Sequence, residues 1–139
     1  MTTFSTTRQL AAAPDEVFTA IQDADRLARW WGPTGFSNRF DIFEFQVGGH
    51  WVFSMIGPDG TVYPNECVFS SIEPSRQVVI QHVCAPHFQL SIRLEPSGSG
   101  TLLRWDQVFA DASVAQAIQH IVEPANEQNL DRLSAELGL

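Results

Sequence analysis

Gly48-Gly49-His50-Trp51-Val52-Phe53-Ser54-Met55-Ile56-Gly57-Pro58-Asp59-Gly60-Thr61-Val62-Tyr63-Pro64-Asn65-Glu66 is the stretch from which the fold can be read. Trp51, Phe53 and Met55 alternate with His50, Val52 and Ser54, the period of two by which a strand sends successive side chains to opposite faces. Gly57-Pro58-Asp59-Gly60 breaks that strand, and its Asp-Gly pair supplies the positive φ that a tight hairpin needs. A second strand then runs from Tyr63 to Phe69. Gly48-Gly49 reads as a bend or bulge, and because no helix follows it, it cannot be a phosphate-cradling loop of the dinucleotide type. The segment also contains no Walker motif.

Working outward, turn signals recur at Glu73-Pro74-Ser75, Ala85-Pro86 and Pro96-Ser97-Gly98-Ser99-Gly100, so Phe36 to Phe109 reads as about six antiparallel strands. Phe88, Leu90, Ile92 and Leu94 form one face of one strand, and Leu103, Trp105, Gln107 and Phe109 one face of the last. Upstream, Phe4 to Leu10 is rich in β-formers. Ala13-Pro14-Asp15-Glu16 then opens a helix, with proline near its first turn and acids at the positive end of the dipole. Asp25 to Trp31 predicts a second short helix, ended by Gly32-Pro33. Downstream, Asp111 to Leu137 returns to helical spacing, with Ala117, Ile118, Ile121, Val122, Ala125, Leu130, Leu133 and Leu137 on or near one stripe. Pro124 lies inside that pattern and is expected to kink or interrupt the helix. The reading is a single α+β domain over residues 1–139: a curved antiparallel sheet of about six or seven strands wrapped around a long C-terminal helix, with two short helices after the first strand.

The 139 residues are 44% hydrophobic, 11% aromatic and 17% charged, which excludes a disordered tail, a collagen-like repeat and a charge-rich coiled coil. All eight basic residues are arginine, against sixteen acids, for a net charge of −8. Phosphate backbones and anionic membranes would be repelled, so no nucleic-acid partner is expected. The N-terminus has no basic n-region or apolar h-region, and no apolar run is long enough to span a bilayer; a cytoplasmic protein without membrane insertion is expected. Cys67 and Cys84 read as thiols of a reducing compartment.

The Gly48–Glu66 stretch resembles the GG-x-aromatic-x-F-x-M-x-GPDGT-x-YPNE segment of bacterial proteins similar to the C-terminal domain of the activator of heat-shock-protein-90 ATPase, within the START-like (SRPBCC) superfamily. Ala13-Pro14-Asp15-Glu16-Val17-Phe18, Trp30-Trp31-Gly32-Pro33 and Gln128-Asn129-Leu130-Asp131-Arg132-Leu133 extend the resemblance over essentially the whole chain. It implies a helix-grip fold with a cavity between sheet and long helix, a cavity whose use differs among members. The chain departs from the pattern at Ala125-Asn126-Glu127, where relatives usually carry Gly-Trp-Asn.

On that reading Trp51, Phe53, Tyr63, Trp105 and Gln107 are expected to line the cavity, with Trp30, Trp31 and Phe36 near its mouth. Gln107 shares its face with Leu103 and Trp105 and is the best polar group there, although it cannot act as a proton-transfer base. The candidate acid/base residues are His82, which shares a face with Val78 and Ile80, and Glu66, on the Tyr63–Phe69 strand. His82, Cys84 and His87 are the only group with even loose metal-ligand spacing, and no metal is assigned. No cofactor is expected, and no G-x-S-x-G elbow is present. Val52 and Ile56 fall on the opposite face as a candidate homodimer surface. The expected function is binding of a small, largely apolar lipid-like or aromatic ligand. The alternatives are a polyketide cyclase, aromatase or hydrolase acting in the same cavity and, last, stimulation of a chaperone ATPase, for which a chaperone partner is not favoured.

Overall fold

The computed structural model describes residues 2–139. Its elements are β1 (Thr2–Leu10), α1 (Pro14–Gln22), α2 (Ala24–Trp30), β2 (Ser37–Phe43), β3 (His50–Ile56), β4 (Val62–Glu73), β5 (Gln77–His82), β6 (Phe88–Ser97), β7 (Gly100–Phe109) and α3 (Ala112–Glu136). The strands form one antiparallel sheet in the order β1-β7-β6-β5-β4-β3-β2: a meander from β2 to β7, with β1 added beside β7. Register shifts at Phe40/Ile42 and Phe69/Ser71 mark irregularities of the bulge type that bend strands and help a sheet to curve.

Local chemistry fixes the boundaries. Asp23 ends α1, its N–H donating to the Thr19 carbonyl. The same residue opens α2 by accepting from the backbone N–H groups of Asp25 and Arg26 at 3.0 and 3.2 Å. Asp111 caps α3 in the same way through Ser113 and Val114. Gly49 stands where a Cβ would lie 2.0 Å from the Glu44 carbonyl oxygen, so that bend admits only glycine. Gly57-Pro58-Asp59-Gly60 is a turn, with Asp59 accepting from the Thr61 N–H at 3.0 Å and Gly60 at φ +85°.

The core lies on the concave face. Trp51 is its aromatic centre, stacked on Phe53 with ring centroids 4.2 Å apart and on Phe69 at 5.9 Å, and met edge-on by Trp31 at 5.0 Å. Trp30 is buried and donates its indole N–H to the Ala20 carbonyl at 2.9 Å, tying α2 to α1.

Helix α3 is held chiefly by its second half. Leu130 and Leu133 are fully buried, whereas of the other expected stripe residues Ala117 and Ile121 are exposed and Ile118, Val122, Ala125 and Leu137 are half-buried. The stripe is therefore shorter than the periodicity implies, because the middle of the helix spans open space above the sheet. Pro124 does not interrupt the element: α3 runs through it from Ala112 to Glu136. Its missing N–H falls on an exposed turn, where the His120 carbonyl can turn to water.

Arg132 bolts the second half down. Its two terminal nitrogens lie within hydrogen-bond distance of five backbone carbonyls: those of Trp31, Gly32 and Pro33 at 2.9–3.0 Å from Nη1, and those of Arg29 and Phe36 at 2.7 and 2.9 Å from Nη2. Asn129 donates to the Trp30 carbonyl at 2.9 Å, and the Gln128 side-chain carbonyl accepts from the Thr34 N–H at 3.1 Å. Glu136 takes both Arg26 and Arg29, at 3.0 and 2.9 Å. Replacing Arg132 by leucine should lower unfolding free energy by about 2–4 kcal/mol, since it strands several carbonyls at once. Arg132→Lys should recover only part of this, an ammonium lacking the planar fork. Urea denaturation of the three proteins measures both effects.

Candidate functional site

Between the concave face and the middle of α3 is a cavity of about 170 Å³. Its floor is built by alternation: Phe53 and Met55 from β3, Asn65 and Cys67 from β4, Ile80 and His82 from β5, Phe88 and Leu90 from β6, and Trp105 and Gln107 from β7. The roof is one face of α3, with Ile121, Val122, Ala125, Asn126 and Asn129, and Trp31-Gly32-Pro33 closes the end where Arg132 grips the chain. Ile121, 59% exposed, stands at the open side.

Of the residues expected in the cavity, the structure brings together Phe53, Trp105, Gln107 and Trp31 with His82. Trp51 is not in the wall. It has the parity of Phe53 but lies one step further along β3, enclosed by Phe40, Phe43, Phe53, Phe69 and Trp31. Trp30 is spent on the α1–α2 contact. Tyr63 is 47% exposed and pairs with Phe36 outside the cavity, at 5.9 Å between centroids. Glu66 is exposed on the other face, opposite Val52 in the β3–β4 register, so parity rather than depth removes it. Val52 and Ile56 are half-buried on that face.

Asn65, Asn126 and Asn129 have no counterpart in the sequence reading. The available signal for the α3 pair was the Ala125-Asn126-Glu127 departure, which falls on the roof. Asn126 donates to the Gln107 Oε1 at 3.1 Å. The Trp51 and Trp105 indole N–H groups are buried without a hydrogen-bond partner among the described residues.

His82 is the titratable histidine of the wall, 6% exposed and stacked on Phe88 at 4.5 Å. The Pro86 carbonyl, 2.7 Å from Nδ1, can only accept, and it takes the ring hydrogen in the tautomer protonated at Nδ1. Nε2 then accepts from the Cys84 thiol at 3.6 Å, while Asn65 Oδ1 sits 2.7 Å from the same nitrogen. The Asn65 amide is oriented by its own donation to the Tyr63 carbonyl at 2.9 Å, so an oxygen faces a lone pair there. That contact favours a second proton on the ring. Burial opposes it and prevails, pushing the His82 pKa below the usual imidazole value despite the carbonyls of Pro86 and Cys84. Cys67, on the neighbouring strand, has its thiol pushed up to about 12 by burial and is a poor nucleophile. Among the described residues no three His, Cys, Asp or Glu side chains converge as metal ligands, and no helix is long and apolar enough to cross a membrane.

A curved seven-stranded antiparallel sheet gripping a long C-terminal helix above an internal cavity defines a START-like helix-grip domain. The chain belongs to the activator of Hsp90 ATPase homolog 1-like family, whose family model matches residues 11–138. Among solved structures, a protein of Arthrobacter aurescens is similar with a TM-score of 0.90 at 24% identity, over 98% of this chain and 86% of that one. One of Nitrosomonas europaea gives 0.88 at 16% identity over 98% and 94%. The AHSA1 protein of Silicibacter pomeroyi gives 0.81 at 21% identity over 99% and 98%. At these identities the likeness shows the fold. A comparison with curated proteins finds no match.

The sign of the His82 effect is set by its lowered pKa. Below the usual imidazole range the unfolded chain takes up a proton that the folded ring resists, so stability present at neutral pH is lost as pH falls below about 6.5. Carboxylates held low, such as Asp111 and Glu136, act only further into acid. Thermal melts should show a lower Tm at pH 5.5 than at pH 7.5, and a smaller drop in His82→Gln.

Proposed function

We propose that this protein binds a small, largely apolar molecule in the cavity between the sheet and α3. The observation that carries the reading is the lining: four aromatic side chains (Trp31, Phe53, Phe88 and Trp105), a few oriented amides, and no Asp, Glu, Lys or Arg. Concave, mostly apolar walls with a small number of placed polar groups are the usual form of a small-molecule site. The test uses Ala125, a small half-buried residue of the roof. Molecules released by denaturing natively purified protein are compared by mass spectrometry with those from Ala125→Trp and from a blank. The expected result is a stoichiometric species from the wild type that is lost when tryptophan fills the space, with the far-ultraviolet circular dichroism of the variant unchanged. A species retained equally by the folded variant would count against the cavity.

A second reading, an enzyme of the cyclase, aromatase or hydrolase kind, is supported by one observation: the His82 imidazole stands in the cavity wall, with Pro86 and Asn65 oxygens each 2.7 Å from a ring nitrogen. In the tautomer protonated at Nδ1, Nε2 is the basic nitrogen, and a proton-transfer step would use it with substrate displacing the Cys84 thiol and the Asn65 amide that face it. On this reading His82→Gln should leave binding of the extracted species within about threefold, yet reduce its turnover by about 100-fold or more. Equal turnover by the two proteins would remove it.

A further inference from the structure

Gln107 is 8% exposed and lines the cavity, and its side-chain carbonyl is taken by Asn126, whose Nδ2 donates to Oε1 at 3.1 Å. In this arrangement Nε2 is the free end of the amide, and no acceptor among the described residues takes its hydrogens. Asn129, one helical turn beyond Asn126, is 6% exposed and also lines the cavity. Its Nδ2 is committed to the Trp30 carbonyl at 2.9 Å, which leaves Oδ1 as an acceptor without a partner among the described residues. The same strip of wall therefore presents a donor at Gln107 Nε2 and an acceptor at Asn129 Oδ1, both on buried residues, with the Asn126 Oδ1 acceptor beside them. Neither atom is sealed off: the fully buried side-chain donors without a partner among the described residues are the Trp51 and Trp105 indoles, so Nε2 and Oδ1 keep open surface on which a complementary atom can sit.

Resting on the ligand-binding reading above, we propose that the cavity selects an uncharged, single-ring molecule carrying a hydrogen-bond acceptor and an adjacent donor, as in a carboxamide or a lactam. The acceptor faces Gln107 Nε2 and the donor faces Asn129 Oδ1, with the ring against Trp31, Phe53 and Trp105. Size sets the single ring: about 170 Å³ is close to the roughly 150 Å³ engineered cavity that takes benzene. Charge is excluded because no ionised side chain lines the cavity to pair with it, and an unpaired ion in an apolar site is strongly penalised.

Four probes of similar size separate the terms: benzamide has both groups, acetophenone the acceptor only, ethylbenzene neither, and benzoate replaces them with a charge. Each is titrated into 15N-labelled full-length protein, following the tryptophan indole and Gln107 side-chain amide resonances. Benzamide should bind about tenfold more tightly than ethylbenzene, one tenfold step being about 1.4 kcal/mol, with acetophenone between them and benzoate weakest. In Gln107→Leu, and independently in Gln107→Met, the advantage of acetophenone over ethylbenzene should vanish while ethylbenzene still binds. Ethylbenzene binding as tightly as benzamide to the wild type overturns the proposal and leaves the apolar cavity standing. Benzoate binding most tightly overturns it too. If none of the four, ethylbenzene included, shifts any cavity resonance, the ligand-binding reading itself fails.

Discussion

The Arg132 guanidinium, wedged among five backbone carbonyls between Arg29 and Phe36, is the constraint on which the site depends. The segment after α2 turns sharply at Gly32, φ +95°, and of its carbonyls those of Trp31 and Pro33 are met also by the Asn38 amide and the Phe36 N–H. A planar fork of donors satisfies them together, where a lysine could meet only some. Burial lowers the Arg132 pKa, but an arginine guanidinium is not deprotonated in proteins, so the clamp keeps its charge. Gly32 cannot be replaced cheaply either, since L side chains rarely adopt its φ of +95°, and a Cβ there would also displace the flexible end of Met55, itself a cavity residue. The clamp therefore sets both the lie of α3 and the position of Trp31 at the end of the cavity.

A helix fixed at one half can stand away from the sheet at the other. Leu130 and Leu133 fill the space beneath the clamped half, and Ala115 is buried near the N-terminus with Phe4 and Phe109. Between these two anchors lie Ile121, Val122 and Ala125, apolar residues that roof the cavity instead of packing into the sheet. Surface charge follows the same division. Arg8 reaches Asp131 and Glu127, and Arg26 and Arg29 share Glu136, so several of the few cations serve as struts at the clamped half. Isolated surface pairs contribute little, but Glu136 is well shielded and is held below the usual carboxylate range by Arg29 and Arg26.

The architecture was legible because it is written in periodicity and punctuation. Alternation through Trp51, Phe53 and Met55, the Asp-Gly turn and the Pro14 and Gly32 boundaries all act locally, and each appears in the structure where its chemistry puts it. Parity also placed Gln107 beside Trp105 on the inner face. Parity cannot say how far along a strand the cavity extends. Trp51 and Phe53 share a face, yet Trp51 lies within the packed end and Phe53 at the open one, a distinction made by Phe40, Phe43 and Phe69 from other strands. Tyr63 fails for the same reason at the opposite end of β4. Asn126 and Asn129 were hidden by the helical stripe, which assigns apolar residues inward and asks nothing of amides. Arg132 was visible only as part of a familiar motif, because the carbonyls it serves lie about a hundred residues away.

The neutrality of the cavity carries a consequence for stability as well as for recognition. A sealed space of about 170 Å³ would correspond to roughly 4 kcal/mol of packing forgone at about 24 cal/mol per Å³; this one opens at Ile121, where water can enter, so the loss is smaller. The chain could have closed that space with larger side chains at Ala125 or Asn126, both on the roof. Instead it carries a small residue and an amide there, and uses the amide to orient a second one on β7. An oriented Gln–Asn pair adds little to folding beyond what two apolar side chains would add. What it provides is direction: hydrogen-bonding groups held at set places on a wall that is otherwise mostly apolar.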